Sequence, residues 1–233
     1  MTRTTNARIA GFTYLAYIAL AFPAMQLMGR ATSGEGIAAK LAGVAQHATD
    51  VRTAVVLNLF SCFAALILAV TLWAITREED PDLAMLALTC RVGEGVIAGV
   101  SVPGTLALLW LATAGGTDAP DTRAAHALGA FLLRDDMAVT ATFFAVGSTL
   151  FSWLLLRGRM IPVPLAWLGV LASVLLVVCL PLQLAGVLHG PITQLMYLPM
   201  AAFEIPLGFW LLIKGVAPNK PRLKEQAGAA KTF

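Results

Sequence analysis

The chain has 233 residues, 58% of them apolar and only 12% charged, with 16 basic side chains against 13 acidic ones. Soluble domains carry about 25% charged residues, so this composition and a mean hydropathy of +0.79 exclude a soluble globular fold. The chain reads as an all-α, polytopic membrane protein whose partner is the lipid bilayer; no Lys/Arg run interleaved with aromatics points to nucleic acid.

A helix needs about 20 mainly apolar residues to cross a hydrocarbon core about 30 Å thick. Six stretches meet that length, giving a predicted bundle of six transmembrane helices. The first covers 9–28. Arg3 and Arg8 precede it as they would in a signal peptide. The run is longer than the usual apolar segment of such a peptide, and no A-x-A site follows it, so a retained first helix is expected. Next comes "SGEGIAAKLAGVAQHATD", where Ile37, Leu41 and Val44 fall at helical spacing and Ser33 stands as a predicted N-cap. A short amphipathic helix lying on the outer membrane face is expected there.

The second span covers 53–75, and "TREEDPDL" follows as an acidic turn. The third, 83–111, is too long to lie straight, so tilt or a kink at Pro103 is expected. "TAGGTDAPDTRAAH" reads as a Gly/Pro/Asp loop. The fourth span covers 137–156, the fifth 164–188 and the sixth 195–213. No internal repeat stands out, and residues 1–216 form one predicted domain. Residues 217–233, polar and carrying Pro218 and Pro221, are expected to be a flexible cytoplasmic tail held loosely at anionic lipid.

Loop charge sets orientation. Arg3, Arg8, Arg77, Arg157, Arg159, Lys214, Lys220, Arg222, Lys224 and Lys231 fall on one side, against Arg30, Lys40, Arg52, Arg123 and Arg134 on the other. Both termini are therefore expected to be cytoplasmic, in a cell inner membrane.

Three ionisable residues remain inside the spans. Counting 1.5 Å per residue, Arg91 lies roughly 12 Å and Glu94 roughly 16 Å from the cytoplasmic end of the third span, and Glu204 roughly 15 Å from that end of the sixth. A charge at a helix centre costs at least about 2.5–3.5 kcal/mol, so these groups must pair or face a polar cavity. Arg91 and Glu94, three apart, share a helix face. One arginine is expected to join Glu94 to Glu204 across the bundle, fixing the third span against the sixth. With two acids and one base, one carboxyl is expected to hold a proton, and the sequence does not say which. Beside them, Gly93, Gly95 and Gly99 allow close helix approach, and Pro206 cannot donate to the Ala202 carbonyl.

A second polar group lies toward the outer face: Asp136, Asn58, Gln183, His189, Gln194 and Tyr197. These residues line a pocket mouth or simply meet water and headgroups. Cys62, Cys90 and Cys179 sit in apolar runs and read as small apolar side chains. Their spacing and that of the histidines give no metal site, and no cofactor is expected. Motifs of serine hydrolases, zinc proteases, nucleotide-binding loops and haem attachment are all missing.

"RIAGFTYLAYIAL", "CRVGEG", "LLLRGRMIPVPLAWLGVLA" and "FEIPLGFWLLIKGV" together resemble the bacterial six-helix membrane family catalogued as domain of unknown function 4386, over roughly residues 8–216. That resemblance implies a recurring arginine and glutamate in the third span, an aspartate opening the fourth and a glutamate in the sixth, matched here by Arg91, Glu94, Asp136 and Glu204. It implies no activity. The expected function is to bind or translocate a lipophilic or small ligand at the Arg91/Glu94/Glu204 centre. The alternatives are an intramembrane enzyme acting on a lipid or isoprenoid, and a structural subunit of a membrane complex.

Overall fold

A computed structural model describes residues 1–115, 120–133 and 137–217. Along the chain the helices are α1 (Arg3–Ala31), α2 (Gly36–Gln46), α3 (Ala48–Thr76), α4 (Pro81–Thr113), α5 (Thr122–Leu132), α6 (Met137–Arg157), α7 (Val163–Leu184), α8 (Ile192–Leu195) and α9 (Leu198–Ile213). Six segments are long and apolar enough to cross a membrane, carried by α1, α3, α4, the α5–α6 stretch, α7 and the α8–α9 stretch. The chain is a multi-pass membrane protein. The predicted tail beyond residue 217 and Asp136 both lie outside the described residues.

Local chemistry explains the helix ends. The Thr2 side chain accepts from the Thr5 amide at 3.1 Å and caps α1. Asp80 caps α4 by accepting from the Leu83 amide at 3.2 Å, with Pro81 at the first helical position, where its missing N–H costs nothing. Asp80 also accepts from Arg157 at 3.1 Å, tying the α3–α4 turn to the end of α6. Most hydroxyls inside the spans donate to a carbonyl one turn back, as Thr71, Thr142 and Ser173 do. They thereby satisfy themselves in a medium without water.

The six spanning helices close into a ring. α1 packs against α3, α3 against α4, α4 against α6, α6 against α7, α7 against α9, and α9 back against α1. α4 and α9 are not ring neighbours. They lie on opposite sides, so the third and sixth spans meet across the interior and not by direct packing. The α1–α9 seam is the closest approach. A side chain at Gly11 would collide with the backbone of Leu212 and come within 2.6 Å of the Gly208 carbonyl. Small residues let the two backbones touch where lipid offers no hydrophobic drive to associate.

The end of the ring bearing the N-terminus will be called the near end. The last described residue is there too, the Ala217 amide donating to the Met160 carbonyl at 3.0 Å. The main core occupies the near half and the α6–α7–α9 side, around Leu72, Leu154, Leu176, Phe203 and Leu211. A smaller core of Ala31, Val44, Val51, Leu108 and Leu109 closes the far end, where α2 lies.

Two loop features differ from expectation. Ser33 does not cap α2; its hydroxyl donates back to the Arg30 carbonyl at 3.0 Å, and Glu35 holds the N-cap position without a side-chain bond. The Gly/Pro/Asp loop contains a second short helix, α5, capped by Asp121, whose carboxylate accepts from the Ala124 amide at 2.8 Å. Gly129 of α5 sits against Ile37 and Leu41 of α2, so part of the apolar stripe of α2 faces protein. α4 continues as helix through Pro103 to Thr113.

Candidate functional site

Arg91 and Glu94 are buried, 1% and 2% exposed, and Glu204 is 8% exposed. The i,i+3 spacing brings Arg91 Nη1 to 2.8 Å from Glu94 Oε2. That is a close charge contact, but it lacks hydrogen-bond alignment. Nε and Nη2 of the guanidinium have no acceptor among the described residues, while Nη1 is held by the carboxylate. One ring helix makes room for this side chain: a Cβ on Gly147 of α6 would stand 2.8 Å from Arg91 Cγ. Phe144, also on α6, places its ring centroid 4.7 Å from the guanidinium carbon, a cation–π contact.

Glu94 has a second partner. Tyr17 of α1 donates its hydroxyl to Glu94 Oε1 at 3.3 Å. Tyr14, one turn earlier on α1 and 3% exposed, stands within electrostatic range of Arg91, Glu94 and Glu204. Across the ring, Glu204 Oε1 has no hydrogen-bond partner. No ion pair joins it to Arg91 among the described residues: the guanidinium pairs with Glu94 alone. The expected three-way bridge is therefore a pair plus a separate carboxyl. The physical reason is the ring itself, in which α4 and α9 are not packed neighbours.

Ser148 belongs to the same neighbourhood. It follows Gly147 directly and lies one turn from Phe144, and its buried hydroxyl has no partner among the described residues, unlike those of Ser61, Ser101 and Ser173. Tyr14 and Tyr17 were missed as site residues; their spacing, one turn apart in a long apolar run, was the available signal.

Of the second predicted group, Tyr197 is half-buried. Asn58, His189 and Gln194 are exposed, and Gln183 is half-buried with its Oε1 lacking a partner. Asp136 lies outside the described residues.

What the central arrangement can do chemically follows from its inventory. It offers N–H donors from a permanent cation, at least one free carboxyl oxygen opposite, and a phenol and a serine hydroxyl able to rotate. Such a set can grip a compact polar group that accepts on one side and shares a proton on the other.

The family model described as Domain of unknown function (DUF4386) matches residues 9–215. No curated protein and no solved structure matches the chain.

Proposed function

The chain belongs to the family described as Domain of unknown function (DUF4386), whose description assigns no activity, and we propose that it binds or translocates a lipophilic or small ligand at the Arg91/Glu94/Glu204 centre. One observation carries this reading. Among the described residues, a buried guanidinium with two nitrogens, Nε and Nη2, lacking acceptors stands across a helix ring from a buried carboxyl with an unpartnered oxygen. Leaving a buried donor or acceptor unsatisfied costs about 1–3 kcal/mol, more for a charged group. A purely structural clamp would bring these groups into contact with each other. A ligand whose polar head accepts from Arg91 and exchanges a proton with Glu204 satisfies both at once.

The test is unbiased mass spectrometry of lipids and small molecules that co-purify with the wild type and with Glu204→Gln. The amide nearly preserves size but cannot take up a proton. The expected outcome is a folded, monodisperse variant that has lost a species present in the wild type. A variant that loses folding, with no species lost from the residual folded fraction, would instead assign the centre to structural packing.

A further inference from the structure

The ring is unpacked along part of its length. Residues 96–107 of α4, about three turns, include no buried residue, although the near half of the same helix buries Ala84, Ala87, Arg91, Glu94 and Gly95. Residues 55–60 of α3 and 15–23 of α1 likewise contain no fully buried residue, although Tyr17 reaches in to Glu94. A helix packed in a ring normally buries one stripe at every turn. Packing resumes only at the far end, with Val51, Leu108 and Leu109.

Two glycines locate where the opening begins. A Cβ on Gly95 would touch Leu66 Cδ2 at 3.1 Å and the Cys62 carbonyl at 3.5 Å, so α3 and α4 are in contact there. Gly99 lies one turn farther along the same face, and a Cβ there would meet nothing within 4 Å. α3 runs antiparallel, so the residue one turn farther out from Cys62 is Asn58, which is exposed. The two helices therefore close at Glu94 and part beyond it, with Asn58 and Gly99 on the facing walls. Leu59 on α3 and Val96 and Val100 on α4 are exposed apolar side chains at this level, whereas Phe60 turns to the other side of α3, lining a groove with Phe12 and Ala16 of α1.

We propose that this α3–α4 gap is a lateral portal through which a single-chain weak acid dissolved in the bilayer brings its carboxylic head to Arg91 and Glu204. The inference rests on the ligand-binding reading of that centre and adds the ligand class and its route. The hydrocarbon chain lies against the apolar walls, where it replaces lipid at little cost. The head reaches the gap uncharged, because carrying a bare carboxylate through hydrocarbon is expensive. At the centre the acid O–H bond breaks and an O–H bond forms on the Glu204 carboxylate. The negative charge passes to the ligand, whose two oxygens then accept from the guanidinium fork. The net charge of the site plus ligand is unchanged, so the transfer needs no counter-ion. An alcohol lacks the second acceptor oxygen, and an ester lacks the proton.

The experiment uses the full chain in lipid nanodiscs with a diazirine-bearing long-chain fatty acid and, separately, its methyl ester, cross-links being mapped to peptides. The acid is expected to label residues 55–60 and 96–107 in a manner competed by unlabelled acid, and the ester to show no competable labelling. Asn58→Trp and Gly99→Phe, one bulky side chain on each wall, should each reduce competable labelling about tenfold, the effect of losing about 1.4 kcal/mol of binding. Both variants are checked for monodispersity, and either alone suffices if the other misfolds. Should neither wall change affect an acid signal that Glu204→Gln abolishes, the portal is wrong while the centre stands. If the ester competes as well as the acid and Glu204→Gln has no effect, weak-acid recognition falls together with the reading of the centre.

Discussion

A guanidinium and a carboxylate on the same helix turn, both buried, stabilise each other only while both are present. Glu94→Ala would leave Arg91 without its counter-charge, and breaking a buried pair on one side typically costs about 3–5 kcal/mol. The double change Arg91→Met with Glu94→Leu removes both charges and is expected to recover most of that loss. Equilibrium unfolding in mixed micelles measures the difference; a Glu94→Ala variant as stable as the wild type would show that the 2.8 Å contact contributes nothing. The pair was legible from sequence because two charges three apart inside an apolar run have few alternatives. The remainder of the site was not. A tyrosine in a first span reads equally well as an interfacial anchor, and only the fold shows that the Tyr17 hydroxyl points inward to Glu94. Ser148 is still less visible, because a helical serine usually donates to the preceding turn and the sequence gives no sign when it does not.

At the scale of elements, glycine placement separates seams from gaps. Gly11 touches α9 backbone, where any Cβ must push two helices apart, whereas Gly99 faces open space. Gly11→Ala is expected to destabilise by about 1–3 kcal/mol through overpacking. Gly99→Ala should be neutral or slightly stabilising, since alanine is the better helix former by about 1 kcal/mol. Thermal unfolding of the two variants side by side checks this; equal effects would mean that the α3–α4 divergence is absent in solution. The sequence could not distinguish them. Gly95 and Gly99 form one small-xxx-small pattern, which gives the face but not how far along it the partner helix remains in contact. Span existence was legible because a run of about 20 apolar residues is a strong length signal. α5 was not, because the Gly/Pro/Asp stretch ahead of it reads as loop and its 11 residues fall short of a span, although its apolar residues do recur at helical spacing. Its Asp121 cap was the signal available.

At the scale of the whole molecule, ring order decides which groups can meet, and ring order is a long-range property that no local pattern encodes. Depth counting placed Arg91, Glu94 and Glu204 at one level, yet it could not reveal that α1 and α3 lie between α4 and α9 on one side of the ring. The ring also converts a charge count into a test. Thr2 lies at the near end and Ser33 beyond the opposite end of α1, both exposed. Among the described residues, Arg3, Arg8, Arg77, Arg157, Arg159 and Lys214 lie toward the near side against Arg30, Lys40, Arg52 and Arg123 toward the far side, and the positive-inside tendency predicts a cytoplasmic near side. In a background lacking Cys62, Cys90 and Cys179, Ser33→Cys should react with a membrane-impermeant maleimide on intact spheroplasts, and Thr2→Cys only after permeabilisation. Under the portal proposal this orientation would also decide the leaflet from which the acid enters, because the stretch of α4 without buried residues lies between Glu94 and the far end. Labelling in the reverse sense would leave the α3–α4 gap where it is in the fold but open it to the cytoplasmic leaflet, so that a weak acid made inside the cell would reach Glu204 without first crossing the bilayer.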